Sequence, residues 1–297
     1  MTKSAEAMKK RLEKLKTVVN GCSLSATRAG QQALGLFATL PHRREETFET
    51  ISFPTFTLGK LTPQAIADPT AAVMYIHGGG FVGGGLSYAR GFATTLAAEL
   101  SLTAYCPSYR LAPEHPFPAA LKDVLAAYRY VTTTGGIRPD RLVLVGESAG
   151  GGLLYSLCLQ LKRMGKPMPA GLIAISPWVD LTLSGPSYEA NREIDPSLTV
   201  ERLRFFADCY TDTPDDPFVS PLFGDLSGMP PSLIVSGGVE IMLSDAASLH
   251  AKLTEAGCRS EHHIAPDLWH AYPLYAIEES HDDFDRFRGF VKECIAE

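Results

Sequence analysis

Hydrophobic positions along the chain follow two different periods. Met8, Leu12, Leu15 and Val19 recur at helical spacing with Lys and Arg between them, which predicts a basic amphipathic helix over roughly the first twenty residues. Residues 21–44 are mixed, and 47–57, with Phe48, Ile51 and Phe53, reads as an edge strand. Pro63 and Pro69 punctuate a loop. From there the pattern changes to short continuous apolar runs, at 71–76, 102–106, 142–145, 171–175 and 232–235, with a last short strand at 261–264. Helical stretches separate them, at 90–100, 119–131, from Ala149 onward, up to Ala256, and a closing helix at 283–294. Strands that are apolar at every position are buried on both faces, so the repeat of strand and helix predicts a mostly parallel, doubly wound α/β sheet covered by helices on both sides. Residues 182–217 interrupt it. They are polar, carry Pro186, Pro196, Pro214 and Pro217 around a helical piece at 200–210, and read as an insertion. No repeat or two-domain break is visible, so residues 1–297 are taken as one domain.

Composition narrows the function classes. A net charge of −6 and a sequence pI near 5.8 give no electrostatic ground for a nucleic-acid partner. The six cysteines are scattered without a C-x-x-C pair and are read as reduced thiols. The N-terminal segment is charged throughout, unlike a secretory signal, and no apolar run approaches the roughly 20 residues of a membrane span. The expectation is a soluble, cytoplasmic protein without membrane insertion, its first helix packed over the domain rather than lying on a lipid surface.

Candidate chemistry gathers just past the strands. Gly146-Glu147-Ser148-Ala149-Gly150 falls between a buried strand and a helix. The flanking glycines allow the tight turn that a nucleophilic serine needs, and the free N–H groups of the helix start point at the place where an oxyanion would form. After the strand 71–76 comes His77-Gly78-Gly79-Gly80-Phe81-Val82-Gly83-Gly84-Gly85, a loop whose amides are unobstructed by side chains and able to converge on a negative charge. Gly78, Gly80 and Gly83 also spell a dinucleotide fingerprint. That reading requires an acid closing the next strand, which ends instead in Pro107-Ser108-Tyr109.

A serine hydroxyl needs a base, and imidazole, with a free pKa near 6.5, can take and return a proton. Of eight histidines, His270 follows the last strand and comes after an acid, in the order serine, acid, histidine. His262 and His263 lie within that strand, one expected to face the core and one the surface, and His115 and His281 are expected at the surface. Glu240, at a strand end, is the favoured acid. Asp245, one helical turn further on, is expected as an exposed helix carboxylate, and Asp267 as a loop cap. No H-E-x-x-H or comparable metal cluster appears.

His77-Gly78-Gly79-Gly80, Tyr109-Arg110-Leu111-Ala112-Pro113-Glu114, Gly146-Glu147-Ser148-Ala149-Gly150, Ser176-Pro177-Trp178, Ser220-Pro221-Leu222 and the Trp269-His270 loop together resemble the hormone-sensitive-lipase family of bacterial carboxylesterases, which are α/β-hydrolases. The resemblance runs from about residue 71 to the end. It implies Ser148 as nucleophile, His270 as base, Glu240 as acid, and an oxyanion hole drawn from the N–H groups of Gly78, Gly79, Gly80 and Ala149, with His77 ordering the loop. It also implies a small helical cap from about 1–45 and about 183–213, and a family habit of dimerising that these residues do not decide. Two departures stand out: Glu240-Ile241-Met242 where most members have Asp-Pro-Leu, and Glu147 where Asp is commoner. The expected activity is hydrolysis of short-to-medium acyl esters through an acyl-enzyme, without metal or cofactor. Lactone, amide or thioester hydrolysis, or small-molecule binding without catalysis, remain open on the same framework.

Overall fold

The structure is a computed structural model that describes residues 1–39 and 46–296; the sequence-read cap segment therefore has its residues 40–45 outside the described residues. In chain order the elements begin with helices α1 (Lys3–Gly21) and α2 (Leu24–Ala38), then strands β1 (Glu46–Ser52), β2 (Thr57–Pro63) and β3 (Ala72–Ile76). Alternation follows with α3 (Leu86–Leu100), β4 (Thr103–Ser108), α4 (Ala119–Thr132), β5 (Leu142–Glu147), α5 (Ala149–Arg163) and β6 (Gly171–Ile175). A short α6 (Ser187–Ala190) and α7 (Val200–Tyr210) precede β7 (Ser232–Gly237), α8 (Leu243–Glu255), β8 (Ser260–Ala265) and α9 (Ser280–Ala296).

The strands form one eight-stranded sheet in the order β1-β2-β4-β3-β5-β6-β7-β8, antiparallel at the β1/β2 and β2/β4 pairings and parallel from β4 onward. The apolar runs explain themselves. Leu142 and Leu144 of β5 enter one core with Met74, Leu172 and Ile234, beneath α4, α5 and α8; Val143 and Val145 enter the opposite core with Tyr75, Ile173 and Val235, beneath α3 and α9. Side chains alternate across the pleat, so a strand with helices on both faces must be apolar at every position.

Besides the one-turn α6, two longer elements lie where the sequence pattern showed none. β2 occupies part of the stretch read as a loop before Pro63. Gly59 and Lys60 break its apolar run, yet Leu58 and Leu61 are fully buried because β2 is zipped between β1 and β4. α2 falls in the stretch read as mixed. It has no strong apolar stripe because the side it turns to the domain carries Arg28, Gln31, Gln32 and Gly35; a Cβ on Gly35 would come within 2.0 Å of the Ser87 carbonyl oxygen in α3. β1 does lie at a sheet edge, as its pattern predicted. At the other edge, His262 and His263 of β8 are both half-buried instead of dividing between core and surface.

Candidate active site

Ser148 sits on the turn between β5 and α5, near the middle of the sheet and at the carboxyl end of its parallel strands. Its backbone is held at φ 54°, a left-handed value that a non-glycine residue adopts only when its surroundings enforce it. The glycines beside it leave no alternative. A Cβ on Gly146 would meet the Gly150 carbonyl oxygen at 2.5 Å, and one on Gly150 would meet the Ile76 carbonyl oxygen at 2.0 Å. The Ser148 N–H donates to the Ile175 carbonyl at 2.9 Å, tying the turn to the end of β6.

The glycine loop after β3 is held beside this turn. The His77 ring is buried, stacks on Tyr109 with centroids 4.2 Å apart, gives its Nδ1 proton to the Gly78 carbonyl at 2.7 Å and accepts from the Gly85 N–H at 3.3 Å. Burial pushes its pKa down to about 4, so the ring is neutral, as that donor and acceptor pattern requires. It orders the loop. Gly79 and Gly80 take positive φ values of 102° and 62°. Their N–H groups, like that of Ala149 at the first position of α5, have no hydrogen-bond partner among the described residues.

Gly78 departs from the sequence expectation. Its N–H donates to Glu147 Oε1 at 2.6 Å and is therefore not among the free N–H groups of the loop. Glu147 is fully enclosed and also accepts from the Tyr75 hydroxyl at 2.6 Å and the Tyr88 hydroxyl at 3.1 Å. Burial raises its pKa to about 7 against the lowering effect of those donors. The sequence marked Glu147 only as a departure from the commoner Asp. Its role as the joint between β5 and the glycine loop depends on Tyr75 and Tyr88, for which the sequence carried no signal.

His270 and Glu240 meet. The imidazole Nδ1 lies 2.6 Å from Glu240 Oε2, with the carboxylate wholly buried and the histidine 9% exposed. Glu240 Oε1 accepts from the Gly237 N–H at 3.0 Å, and the Ser176 hydroxyl lies beside the same carboxylate. Burial raises the Glu240 pKa, opposed by the neighbouring imidazole. Ser176 Oγ accepts from the Ala271 N–H at 2.9 Å. Residues 175 and 176 therefore tether the serine turn on one hand and the histidine loop on the other. Ser148 and His270 are both buried, and no hydrogen bond joins the Ser148 hydroxyl to His270 among the described residues.

Asp245 corrects the sequence reading. It is buried, and its Oδ2 accepts from the Val179 N–H at 3.0 Å and the Asp180 N–H at 2.9 Å, so it pins the turn after β6 to α8. Its pKa is pushed up to about 8 by burial and by the nearby Asp180. Asp267 is exposed and caps nothing among the described residues, while His115 and His281 are at the surface as expected. Among the described residues no group of three or more His, Cys, Asp or Glu is arranged to hold a metal ion, and no helix is long and apolar enough to cross a membrane. A depression of about 260 Å³ between β8 and α9, lined by Arg259, His262, His263 and Arg286, includes none of Ser148, Glu240 and His270.

Other segments close over the loop. A Cβ on Gly80 would meet the Phe206 ring of α7 at 2.3 Å, and Phe81 stacks on Tyr210 with centroids 3.8 Å apart. Asn191 donates to the Glu240 carbonyl at 2.9 Å, and Asp195 Oδ2 accepts from the Ile241 N–H at 2.9 Å.

Comparison with known proteins adds independent findings. Residues 73–274 match a family model described as alpha/beta hydrolase fold. An esterase of Acinetobacter venetianus is 36% identical over 215 residues, covering 71% of each chain. An acetyl-hydrolase of Streptomyces hygroscopicus is 33% identical over 242 residues, covering 78% of this chain and 80% of its own. Among solved structures, EstE5 soaked with ethyl alcohol aligns with a TM-score of 0.93 at 31% identity over the full length of both chains. A hormone-sensitive lipase from a metagenome library aligns with a TM-score of 0.88 at 33% identity, covering 96% of this chain and 97% of its own.

Proposed function

The chain belongs to the hormone-sensitive-lipase-like esterases of the α/β-hydrolase fold, and from that membership we propose that it hydrolyses short-to-medium acyl carboxylic esters through a Ser148–His270–Glu240 triad and an acyl-enzyme. The observation that carries the reading is the buried Glu240–His270 contact at 2.6 Å, tied through Ser176 to the strand end that also holds the Ser148 turn.

His270 Nε2 takes the Ser148 proton as Oγ attacks the ester carbonyl carbon, while Glu240 holds the imidazole with its proton on Nδ1 and stabilises the cation that forms. The carbonyl oxygen becomes an oxyanion facing the free N–H groups of Gly79, Gly80 and Ala149, at the positive end of α5. Collapse breaks the ester C–O bond, and His270 returns the proton to the departing alkoxide. Water then adds to the acyl-enzyme by the same route, releasing the carboxylic acid and restoring Ser148.

In this reading α1, α2 and residues 183–213 form the cap. Two kinds of contact support it: Phe206 packs against Gly80, and Lys16 of α1 donates to the Asp195 carbonyl at 2.6 Å, joining the two cap segments. Steady-state hydrolysis of p-nitrophenyl esters from acetate to palmitate, with wild type and Ser148→Ala, is the test. Turnover should peak at short or medium chains and drop by about three powers of ten or more in the variant. A fluorescent organophosphonate should label wild type and leave Ser148→Ala unlabelled. Activity of the variant within tenfold of wild type would remove the assignment.

A further inference from the structure

Four of the glycines between β3 and α3 (Gly79, Gly80, Gly84 and Gly85) have positive φ, so this loop loses an unusual amount of backbone freedom when it orders. An oxyanion hole works only if its donors are already in place when charge develops. The tethers that order the loop come from two directions. On the core side are His77, Glu147 and Tyr109, whose hydroxyl donates to the His77 carbonyl at 2.8 Å. On the opposite side Phe206 and Tyr210 of α7 pack against Gly80 and Phe81, and the side-chain hydrogen bonds come from one face of α2.

That face presents Arg28, Gln31 and Gln32, at the i, i+3 and i+4 positions that share a helix side. Arg28 Nε donates to the Val82 carbonyl at 2.7 Å, Nη2 donates to the Ala112 carbonyl at 2.8 Å, and the guanidinium is anchored by both oxygens of Glu114 at 2.8 and 2.6 Å. Gln31 Oε1 accepts from the Gly84 N–H at 2.7 Å. Gln32 Nε2 donates to the Gly84 carbonyl at 2.6 Å, while its Oε1 accepts from the Ser87 N–H at 3.2 Å. Consecutive glutamines thus grip both polar groups of one glycine. The grip reaches the donors by a short route: the Gly83 and Val82 N–H groups both donate to the Gly79 carbonyl, at 2.9 and 3.2 Å, closing 79–83 into one turn that ends at Gly84.

We propose that Gln31 and Gln32 are positioning residues for the reaction, holding the Gly79–Gly84 turn so that the Gly79 and Gly80 amides stand ready for the oxyanion. The inference rests on the esterase reading above and extends it: part of the oxyanion hole's rigidity is supplied by a helix outside the α/β core. Its two halves are chemically distinct. Among the described residues Gln31 acts only as an acceptor, which a carboxylate replaces; Gln32 must also donate, which a carboxylate cannot do.

The test compares Gln31→Ala, Gln31→Glu and Gln32→Glu with wild type and Ser148→Ala, measuring kcat and KM for p-nitrophenyl butyrate, the affinity of an aryl trifluoromethyl ketone whose hemiketal mimics the oxyanion, and the thermal midpoint. Gln31→Ala and Gln32→Glu should each lower kcat by about tenfold or more, with KM within about twofold and ketone binding weakened in parallel with kcat. Gln31→Glu should retain wild-type turnover. The clamp is overturned if Gln31→Ala and Gln32→Glu keep kcat within about twofold of wild type, if Gln31→Glu is as impaired as Gln31→Ala, or if turnover falls only in step with the folded fraction. Loss of activity in Ser148→Ala beside intact glutamine variants refutes the clamp alone. Retention of activity in Ser148→Ala refutes the site, and the clamp with it.

Discussion

Replacing Glu240 with Gln removes a charge and almost no volume, which makes it the sharpest probe of the proposed triad. The carboxylate lies 2.6 Å from His270 Nδ1 and is completely shielded from water. When His270 takes the Ser148 proton, an ion pair forms whose charge centres, spread over ring and carboxylate, are about 4 Å apart. At an effective permittivity of about 20 that attraction is about 4 kcal/mol, or about a thousandfold in rate. The ground state contains no such pair because the imidazole is then neutral, so the loss belongs to kcat and KM should stay within about threefold. A second effect adds to it. The amide oxygen of Gln can still accept from the Gly237 N–H, which turns the amide NH₂ toward Nδ1. Nδ1 must then accept, the ring proton moves to Nε2, and the base can no longer take a proton from serine. Hydrolysis of p-nitrophenyl butyrate at pH 8, with the thermal midpoint measured alongside, reads both. A folded Glu240→Gln enzyme with kcat within tenfold of wild type would refute the reasoning.

Asp245 provides a pH-dependent prediction. Its pKa is about 8 in the folded protein against about 4 when unfolded, so the native state binds the proton more tightly; that stabilisation is complete below about pH 4 and is lost as pH rises through about 8. Asp245→Asn, whose amide oxygen can accept the same two N–H groups, should flatten the fall in thermal midpoint between pH 6 and about 9, and identical profiles would count against a buried titrating carboxylate. Gly150→Ala forces a methyl to 2.0 Å from the Ile76 carbonyl oxygen and should cost about 1–3 kcal/mol or more in urea unfolding, whereas Gly30→Ala in α2, where an added methyl meets none of the described residues within 4 Å, should gain about 0.5–1 kcal/mol. Equal effects of the two glycine substitutions would contradict the packing described.

The parallel sheet was legible in the sequence because both faces of its strands are buried. β3, β6 and β7, and β5 as far as Gly146, are apolar or small without interruption, a local property that needs no knowledge of the partners. The serine turn was legible for a related reason: its glycines, buried strand and following helix are contiguous, so the conformation is written within a dozen residues. The positions of Glu240 and His270 just past strands could be read, but their contact could not, since 30 residues separate them.

Elements whose place depends on polar docking were hidden. α2 packs through Arg28, Gln31 and Gln32, so it lacks the apolar stripe that marks a helix, and β2 is recruited by strands on both sides despite Gly59 and Lys60. The fates of Gly78 and Asp245 were also beyond the sequence. A main-chain N–H carries no mark of what it will bond, and Gly78 finds its acceptor 69 residues away; a helix carboxylate looks solvated until two amides 65 and 66 residues away close on it. Periodicity and turn chemistry are local quantities and come through in one dimension. The satisfaction of individual buried donors and acceptors is settled only when distant segments meet, which is why the sheet and the tight turn at Ser148 could be read from the residues while the free N–H groups around it required the folded chain.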